Sequence, residues 1–381
     1  METDLNFIGK NIRFFRRSRN WTLLQLASKI GIQEGPLGRI ERGINLPSAN
    51  VLYQLSKVLS VTMDELFATN PCHAPVADLV AGDSCFVSID AETKPISPPK
   101  SLLKACHDIM TAFHALEDIC QVQKYAYLPL SIPFTPTYKG MEQLAVCVRN
   151  YLGIGDSVVF DNFELFENFG LRIILFPFTR GAIEIDSVSF YEPAFHNAFF
   201  FLNSKQNPEK QLFSLFEELG KILIANQIKL QNQPLFSENE NNSETPRPIN
   251  PTRAAKRFAA TFLMPETAVR ATVSQLGITK QGWSWELLLR IKHRFGVSTE
   301  SFLYRLKELD LITNNLADLL YEKIDEFYKS TGYQEPDSTR RCLTPNGRFF
   351  DLLLTADNME HTNKEVKEIE QLQKRLKIVH K

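Results

Sequence analysis

Three charged residues on one predicted helix are the clearest candidates for chemistry in the C-terminal half of the sequence. Glu217 and Glu218 are followed by Lys221, within an apolar helical pattern that runs from Gln211 to Gln227. Residues four apart share a helix face, and glutamate preceding lysine is the favoured order, so Glu217 and Lys221 are placed for an ion pair. The alternative, that both side chains lie in solvent, stays open at this point.

Metal and disulfide chemistry have weaker support. The six cysteines are scattered without a CxxC pair, which argues against a metal ribbon or a disulfide framework. His107 and His114 lie seven residues apart on one predicted helix, and we interpret them as ordinary helix residues. We therefore predict neither a metal nor a cofactor.

A local excess of positive charge marks the N-terminal region. Residues 1–42 contain eight Lys and Arg residues against four Asp and Glu, although the 381-residue chain has a net charge of only -1. Such asymmetry is typical of an anion-binding module, and a solvated helix face is the alternative. With 44% hydrophobic and 23% charged residues, the chain is expected to be globular, and its length predicts two or three domains.

Five short helices must position these basic residues. Ile8, Ile12 and Phe15 predict the first; Thr22 and Gln25 form a capping-box pattern that begins the second, which Gly31 ends. The third carries Leu37 and Ile40, Pro47-Ser48 opens the fourth, and residues 61–67 form the fifth. The recurring unit is helix, tight turn, helix.

The segment "IGKNIRFFRRSRNWTLLQLASKIGIQEGPLGRIERGINLPSANVLYQLSKVLSVTMDELF" resembles the Cro/C1 (XRE) class of phage-repressor-like helix-turn-helix domains. In that fold the third helix enters the major groove, while the second helix and the flanking loops grip phosphates. The resemblance implies these DNA-binding residues: Arg16, Arg17, Thr22, Gln25, Gln33, Glu34, Gly35, Gly38, Arg39, Arg42 and Asn45.

The predicted recognition helix departs from the family's pattern. Gly35 and Pro36 leave few side chains for direct base readout, so specificity is expected to be modest or to depend on DNA shape. Glu34 is placed to accept from a cytosine amino group, and Arg39 or Arg42 to contact guanine or phosphate.

A second domain begins after a proline-rich stretch. Residues 70–100 read as an irregular linker, followed by a helix from Ser101 to about Gln123. Later patterns predict helices over 141–152, 157–169 and 211–227 and strands over 171–176 and 197–203, an α+β layout. We expect a helix-turn-helix domain over 5–69, a linker and helical segment over 70–135, an α+β domain over 136–315, and a helical extension over 316–381.

The segments "LFENFGLRIILF", "AFFFLN", "QLFSLFEELGKILI", "RAAKRFAATFLMP" and "FGVSTESFLYRLKELDLIT" together resemble the ImmA/IrrE family of zinc-dependent regulatory peptidases. That family's chemistry depends on an HExxH motif. Here the register reads Glu217-Glu218-Leu219-Gly220-Lys221, and the family's third ligand position falls on Thr252. The resemblance therefore implies a domain that has lost its metal ligands, with an ion pair at the old metal position.

Two further helical segments are expected to pack internally. Residues 287–313 read helix, turn, helix with several basic residues, which mimics a second DNA-binding unit. Leu288, Phe302 and Leu306 nevertheless supply core spacing, so we predict a packing element. Residues 363–379 form an amphipathic helix that either docks on its own domain or pairs with a second protomer.

The overall fold is predicted to be mainly α, with a five-helix N-terminal domain, an α+β second domain and a helical C-terminus. The resemblances imply a sequence-specific DNA-binding transcriptional regulator whose peptidase-like domain is a catalytically inactive sensor or interaction module. The alternatives are a metallopeptidase with unusual ligands, His196 among them, that acts on a repressor, and an antitoxin or phage-immunity protein that autoregulates its promoter.

The expected partners are operator double-stranded DNA, a second copy of the chain in a homodimer, and a small-molecule or protein ligand of the second domain. The first residues lack the apolar core of a signal peptide, and no apolar run reaches the roughly 18 residues that span a bilayer. We therefore expect a cytoplasmic, nucleoid-associated protein with no membrane partner.

Overall fold

The structure, a computed structural model, describes residues 6–17, 21–59, 63–67, 84–89, 98–126, 128, 130, 132–135, 137–182, 184–192, 195–231, 250–338, 345–359 and 363–379. Two compact units divide the chain. The N-terminal helices belong to the first, and almost all of the chain from Ser84 onward belongs to the second. None of the helices in these described ranges is long and apolar enough to cross a membrane.

The first unit contains five helices. They are α1 (Asn6–Arg17), α2 (Leu23–Ile30), α3 (Glu34–Glu41), α4 (Ala49–Leu59) and α5 (Met63–Phe67). The predicted capping box begins α2, and Gly31 ends it at a φ of 72°, a left-handed conformation that glycine adopts without strain. Leu26, Leu37 and Leu55 are fully buried in the core that these helices enclose.

A close contact between α1 and α3 sets the geometry of the first unit. A Cβ atom on Gly9 would lie 2.2 Å from the carbonyl oxygen of Ile40. Only glycine therefore allows the two helix backbones to approach this closely.

A four-stranded sheet forms the centre of the second unit. Its strands are β1 (Ser84–Ile89), β2 (Arg172–Phe176), β3 (Ile185–Glu192) and β4 (Asn197–Asn203), in the spatial order β1-β3-β4-β2. β1 and β4 both pair antiparallel with β3, and β2 pairs parallel with β4.

The sheet separates two apolar layers. Phe200 and Leu202 of β4 face one layer, whereas Phe199 and Phe201 face the other. This alternation follows from the two-residue period of a strand. It explains why β4 is apolar at nearly every position, since both faces are buried.

Helices cover both faces of the sheet. In chain order they are α6 (Lys100–Ile119), α7 (Tyr138–Tyr151), α8 (Asn162–Asn168), α9 (Pro208–Gln231), α10 (Pro251–Leu263), α11 (Glu266–Gln275), α12 (Trp285–Phe295), α13 (Thr299–Glu308), α14 (Asn314–Thr331), α15 (Gly347–Asp357) and α16 (Asn363–Leu376). One apolar layer contains residues of α7, α9 and α10, and the other contains residues of α6, α15 and α16.

A buried ion-pair cluster ties α6 to the sheet. Arg172 of β2 donates to both carboxylate oxygens of Glu117 at 2.9 and 2.8 Å and to Glu192 at 2.7 Å. His114 lies 3.3 Å from Glu117 and 2.8 Å from Glu192. Burial by itself lowers the pKa of His114, but its hydrogen bonds to these two carboxylates outweigh burial, so the net pKa lies above the usual value.

The second unit differs from the sequence expectation at three places. Residues 84–89 form strand β1, whereas we expected an irregular linker over 70–100. The helix expected over 157–169 is confined to α8, because Asp161 caps its N-terminus by accepting from the backbone N–H groups of Phe163 and Glu164. Strand β3 was not predicted at all.

The internal packing predicted for residues 287–313 is confirmed, and of the two alternatives for residues 363–379 the structure shows docking on the second unit. In the helix pair α12 and α13, Leu288, Phe302 and Leu306 are fully buried, and the basic residues Lys292 and Arg305 are buried too. Helix α16 packs Val366 and Ile369, among other residues, into the apolar layer that contains α6 and α15.

Candidate functional site

The first candidate site is the exposed surface of α3 in the N-terminal unit. Gln33 is the N-cap residue, and its side chain makes no capping hydrogen bond. Glu34, Gly35 and Arg39 are exposed, whereas Leu37 is buried. The helix therefore presents its N-terminal turn and Arg39 to solvent, as a recognition helix requires.

The two glycines of α3 differ in their surroundings. Gly35 has open space where a side chain would lie, so its lack of a side chain leaves this part of the surface bare. A Cβ on Gly38 would lie 3.1 Å from Leu23 Cδ2, so Gly38 belongs to the contact between α2 and α3.

The predicted DNA contacts that flank α3 are exposed. Thr22 and Gln25 hold each other in the capping box, at 3.1 Å from Gln25 N to Thr22 Oγ1 and 2.7 Å from Thr22 N to Gln25 Oε1. Arg42 donates through Nε to the Gly38 carbonyl at 3.0 Å and is exposed, as is Asn45.

Arg16 has a different position from the one expected of a DNA contact. Its guanidinium donates to both carboxylate oxygens of Glu41 at 2.6 and 2.8 Å, and to the Trp21 carbonyl at 2.8 Å. The two side chains are largely buried, so Arg16 links α1 to the end of α3 within the unit. The side chain of Arg17 lies outside the described residues.

The second candidate site is the charged cluster on α9, in the second unit. Lys221 Nζ lies 3.1 Å from Glu217 Oε1 and 3.2 Å from Glu218 Oε1. The ion pair predicted between Glu217 and Lys221 is therefore present, and the solvent-exposed alternative is wrong. The exposed fractions of the three side chains are 4% for Glu217, 0% for Glu218 and 13% for Lys221.

Strand β3 completes this cluster. Ser187 Oγ donates to Glu218 Oε1 at 3.0 Å, and Ser189 Oγ donates to Glu218 Oε2 at 2.5 Å. Sequence reasoning missed both serines because it missed β3. Their spacing of two residues, which places them on one strand face, was the signal that would have found them.

The electrostatics of the cluster favour a charged lysine. Burial by itself would lower the pKa of Lys221, but the charges of Glu218 and Glu217 outweigh it, and the net pKa is raised. One ammonium therefore lies between two buried carboxylates.

The fourth predicted residue of this site is not part of the cluster. Thr252 lies exposed in the first turn of α10, where its backbone N–H donates to Asn250 Oδ1 at 2.8 Å. Gly220 has a structural role instead, because a Cβ there would lie 3.1 Å from Phe258 Cδ1 and 3.2 Å from Ala255 Cα. Glycine allows α9 and α10 to pack closely.

The residues of the cluster do not fit a zinc ion. Zinc requires lone pairs from thiolate, imidazole or carboxylate ligands, and a charged Lys221 has none. Both carboxylate oxygens of Glu218 already accept hydrogen bonds. Across the described part of the chain, no group of three or more His, Cys, Asp or Glu side chains is arranged to hold a metal.

Comparisons with protein families agree with both resemblances. The family model described as "Helix-turn-helix" matches residues 12–66. The model described as "IrrE N-terminal-like domain" matches residues 166–307, which include α9 and its charged cluster.

Curated relatives match the N-terminal region. The uncharacterized HTH-type transcriptional regulator YazB of Bacillus subtilis is 41% identical over 58 residues, which are 15% of this chain and 84% of that protein. The B. subtilis HTH-type transcriptional regulator SlrR is 38% identical over 61 residues, 16% of this chain and 40% of its own length. The uncharacterized regulator Rv0474 of Mycobacterium tuberculosis is 38% identical over 59 residues, 16% of this chain and 42% of its own length.

One solved structure aligns with nearly the whole chain, but its structural similarity to this chain is low. The crystal structure of Bacillus thuringiensis PlcR in complex with the peptide PapR7 and DNA is 12% identical, covering 97% of this chain and 99% of that one, with a TM-score of 0.17.

The helix-turn-helix match, the YazB match and the geometry of α2 and α3 together identify the chain as a member of the family of HTH-type, DNA-binding transcriptional regulators. The chain also has an IrrE N-terminal-like domain in its second unit.

Proposed function

We propose that this regulator reads its operator through α3 as a homodimer, and that the IrrE-like unit is a non-catalytic input module. The observation that supports the second part is the position of Lys221 Nζ, at 3.1 and 3.2 Å from the two carboxylates of α9. An ammonium group holds the place where the related peptidases hold a metal.

The hydrogen bonds of Glu218 argue against hydrolysis by this cluster. A general base needs a free carboxylate oxygen close to the attacking water. Here Oε1 accepts from Ser187 and Lys221, Oε2 accepts from Ser189, and the side chain is fully buried. Glu218 is thus held as a structural anion.

A metal measurement tests this part of the proposal. Purified protein, incubated with equimolar zinc and desalted, is expected to carry far less than one zinc per chain by inductively coupled plasma mass spectrometry. The double variant Glu217→His/Lys221→His restores two imidazoles one turn apart and is the matched comparison, since it is expected to retain more zinc. Stoichiometric zinc on the wild type would favour the metallopeptidase instead.

Exposed residues on and beside α3 support the DNA-reading proposal. Glu34 and Arg39 are the side chains of α3 placed for base edges, and Arg42 and Asn45 follow at its C-terminal end. With Gly35 bare and few side chains available, one α3 makes too few base contacts for useful specificity. Two copies that bind half-sites about 34 Å apart would supply the rest.

A binding titration tests this part. Fluorescence anisotropy with a duplex from the protein's own promoter, a scrambled duplex and two salt concentrations separates specific from nonspecific binding. Arg39→Ala is expected to weaken promoter binding roughly tenfold, the scale of one lost base contact. Arg290→Ala removes an exposed arginine from the second unit and is the matched control. Equal binding to both duplexes would refute sequence-specific reading through α3.

A further inference from the structure

Strand β1 joins the sheet from the stretch of sequence between the DNA-binding helices and α6. It is an edge strand of six residues, and its only neighbour in the described sheet is β3. The pairing changes register at its end, where Ser88 faces Ser187 but Ile89 faces Ile185. A short edge strand with an irregular end is held by fewer ladder hydrogen bonds than a central strand.

β1 lies directly beside the charged cluster of α9. Phe86 is opposite Ser189 in the register, and Ser88 is opposite Ser187. These two serines bind Glu218, and α9 contacts both β1 and β3. The edge of β3 that β1 covers is therefore the edge next to the site where the related peptidases carry out their chemistry.

The opposite edge of the sheet is closed in another way. Asn346 accepts from the backbone N–H of Leu175 in β2 at 2.7 Å and donates to its carbonyl at 3.0 Å. A side chain thus takes the hydrogen bonds that an added strand would need there. The β3 edge, in contrast, already accepts an extended backbone, that of β1.

We propose that the β3 edge is a docking site for an extended, uncharged peptide segment of a protein partner, and that β1 occupies this site until the partner displaces it. The inference rests on the proposed role of the second unit as an input module. Strand addition supplies affinity through main-chain hydrogen bonds, and residues 84–89, which contain no charged side chain, show the kind of segment that fits.

Displacement of β1 would lengthen the chain segment that connects the DNA-binding unit to the second unit. Six residues of extended chain span roughly 20 Å. Released, residues 84–89 would lengthen the connection to the first unit by that amount. A longer connection lowers the effective concentration of one DNA-binding unit next to the other in a dimer, and thereby operator affinity.

Three full-length proteins test the displacement of β1, all with Cys85→Ser to remove the thiol two residues from the engineered pair. The first has no further change. The second carries Val87→Cys/Val188→Cys, a register pair whose Cα separation in any antiparallel ladder, about 4.5–5.5 Å, suits a disulfide that locks β1 in place. The third carries Val87→Pro, which weakens the ladder.

The probe is a fluorescein-labelled peptide of residues 84–89 with serine for Cys85, and a scrambled peptide is the control. We expect the peptide to bind the Val87→Pro protein at least tenfold more tightly than the Cys85→Ser parent. We expect no binding to the oxidised disulfide form, and recovery after reduction. Equal binding to oxidised and reduced forms would show addition to the outer edge of β1 and overturn displacement.

Hydrogen exchange on the wild type makes the test independent of whether the proline variant folds. Excess peptide is expected to speed amide exchange in residues 84–89 while residues 185–192 stay protected; unchanged exchange in residues 84–89 would also overturn the proposal. Promoter affinity, measured with and without peptide, separates the two claims. If the peptide displaces β1 without any change in promoter affinity, the docking site is supported and the proposed input role is refuted.

Discussion

Removing Lys221 tests the electrostatic account of the second unit most directly. Lys221→Met keeps most of the side-chain volume and removes the one charge that lies between Glu217 and Glu218. Deleting one partner of a buried ion pair costs about 3–5 kcal/mol, because the remaining charge is left without compensation. Since Lys221 is 13% exposed, we expect a loss near the lower end of this range, about 3 kcal/mol.

A matched variant separates charge from packing. Glu217→Gln leaves the pair of Lys221 and Glu218 intact and neutral overall, so we expect it to cost less than about 1 kcal/mol. The double variant Glu217→Gln/Lys221→Met leaves a single carboxylate held by two serines, and is expected to be more stable than Lys221→Met by about 1 kcal/mol or more.

Urea denaturation followed by tryptophan fluorescence measures these differences. Two of the three tryptophans, Trp283 and Trp285, lie in the second unit, so the signal mainly reports its unfolding. A loss of about 3 kcal/mol corresponds to a midpoint roughly 6–12 °C lower on heating. Lys221→Met within about 0.5 kcal/mol of the wild type, or less harmful than Glu217→Gln, would refute the reasoning.

Three further predictions concern residues with structural roles. Arg16→Met is expected to abolish DNA binding by destabilising the first unit by about 3 kcal/mol, since it leaves Glu41 buried without its partner; a variant with unchanged thermal stability but lost binding would restore Arg16 as a DNA contact. The pKa of His114 is raised, so its stabilising charge is complete below about pH 6.5 and is lost as pH rises through the higher folded-state value; His114→Gln should flatten the fall in urea stability above about pH 6.5, whereas His107→Gln, exposed on the same helix, should not. Gly9→Ala should lower the melting temperature of the first unit, because the added methyl group meets a backbone carbonyl of α3; an unchanged melting temperature would show that α1 can shift away.

Local signals were strong enough to predict the first unit in detail. The capping box of Thr22 and Gln25 and the glycine at position 31 are hydrogen-bonding and backbone requirements that act within a few residues. The role of Arg16 could not be predicted in this way. Its partner Glu41 is 25 residues away, and a basic residue in an N-terminal module has the same sequence signature whether it binds DNA or an internal carboxylate.

The sheet shows where sequence patterns stop being informative. Strand β4, buried on both faces, is a continuous apolar run that is easy to recognise. Strand β3 places serines towards α9 and apolar residues towards the other layer, so its pattern resembles a polar surface strand although every residue from Ile185 to Phe190 is buried. The hydroxyl groups of these serines donate to the buried carboxylate of Glu218. That carboxylate reaches the strand only when α9 packs on the sheet, so the sequence of β3 alone does not show why serines occupy these positions.

The charge balance of the cluster connects this packing to the proposed exchange of β1. A zinc ion would bring two positive charges to the metal position, whereas Lys221 brings one, against two carboxylates. The hydroxyl groups of Ser187 and Ser189 must supply the remaining stabilisation of Glu218. Both hydroxyls belong to the strand whose edge β1 covers, so the buried anion is stable only while β3 keeps its place in the sheet. A segment that replaced β1 would have to support β3 equally well, and this requirement selects an extended peptide over a small molecule as the input.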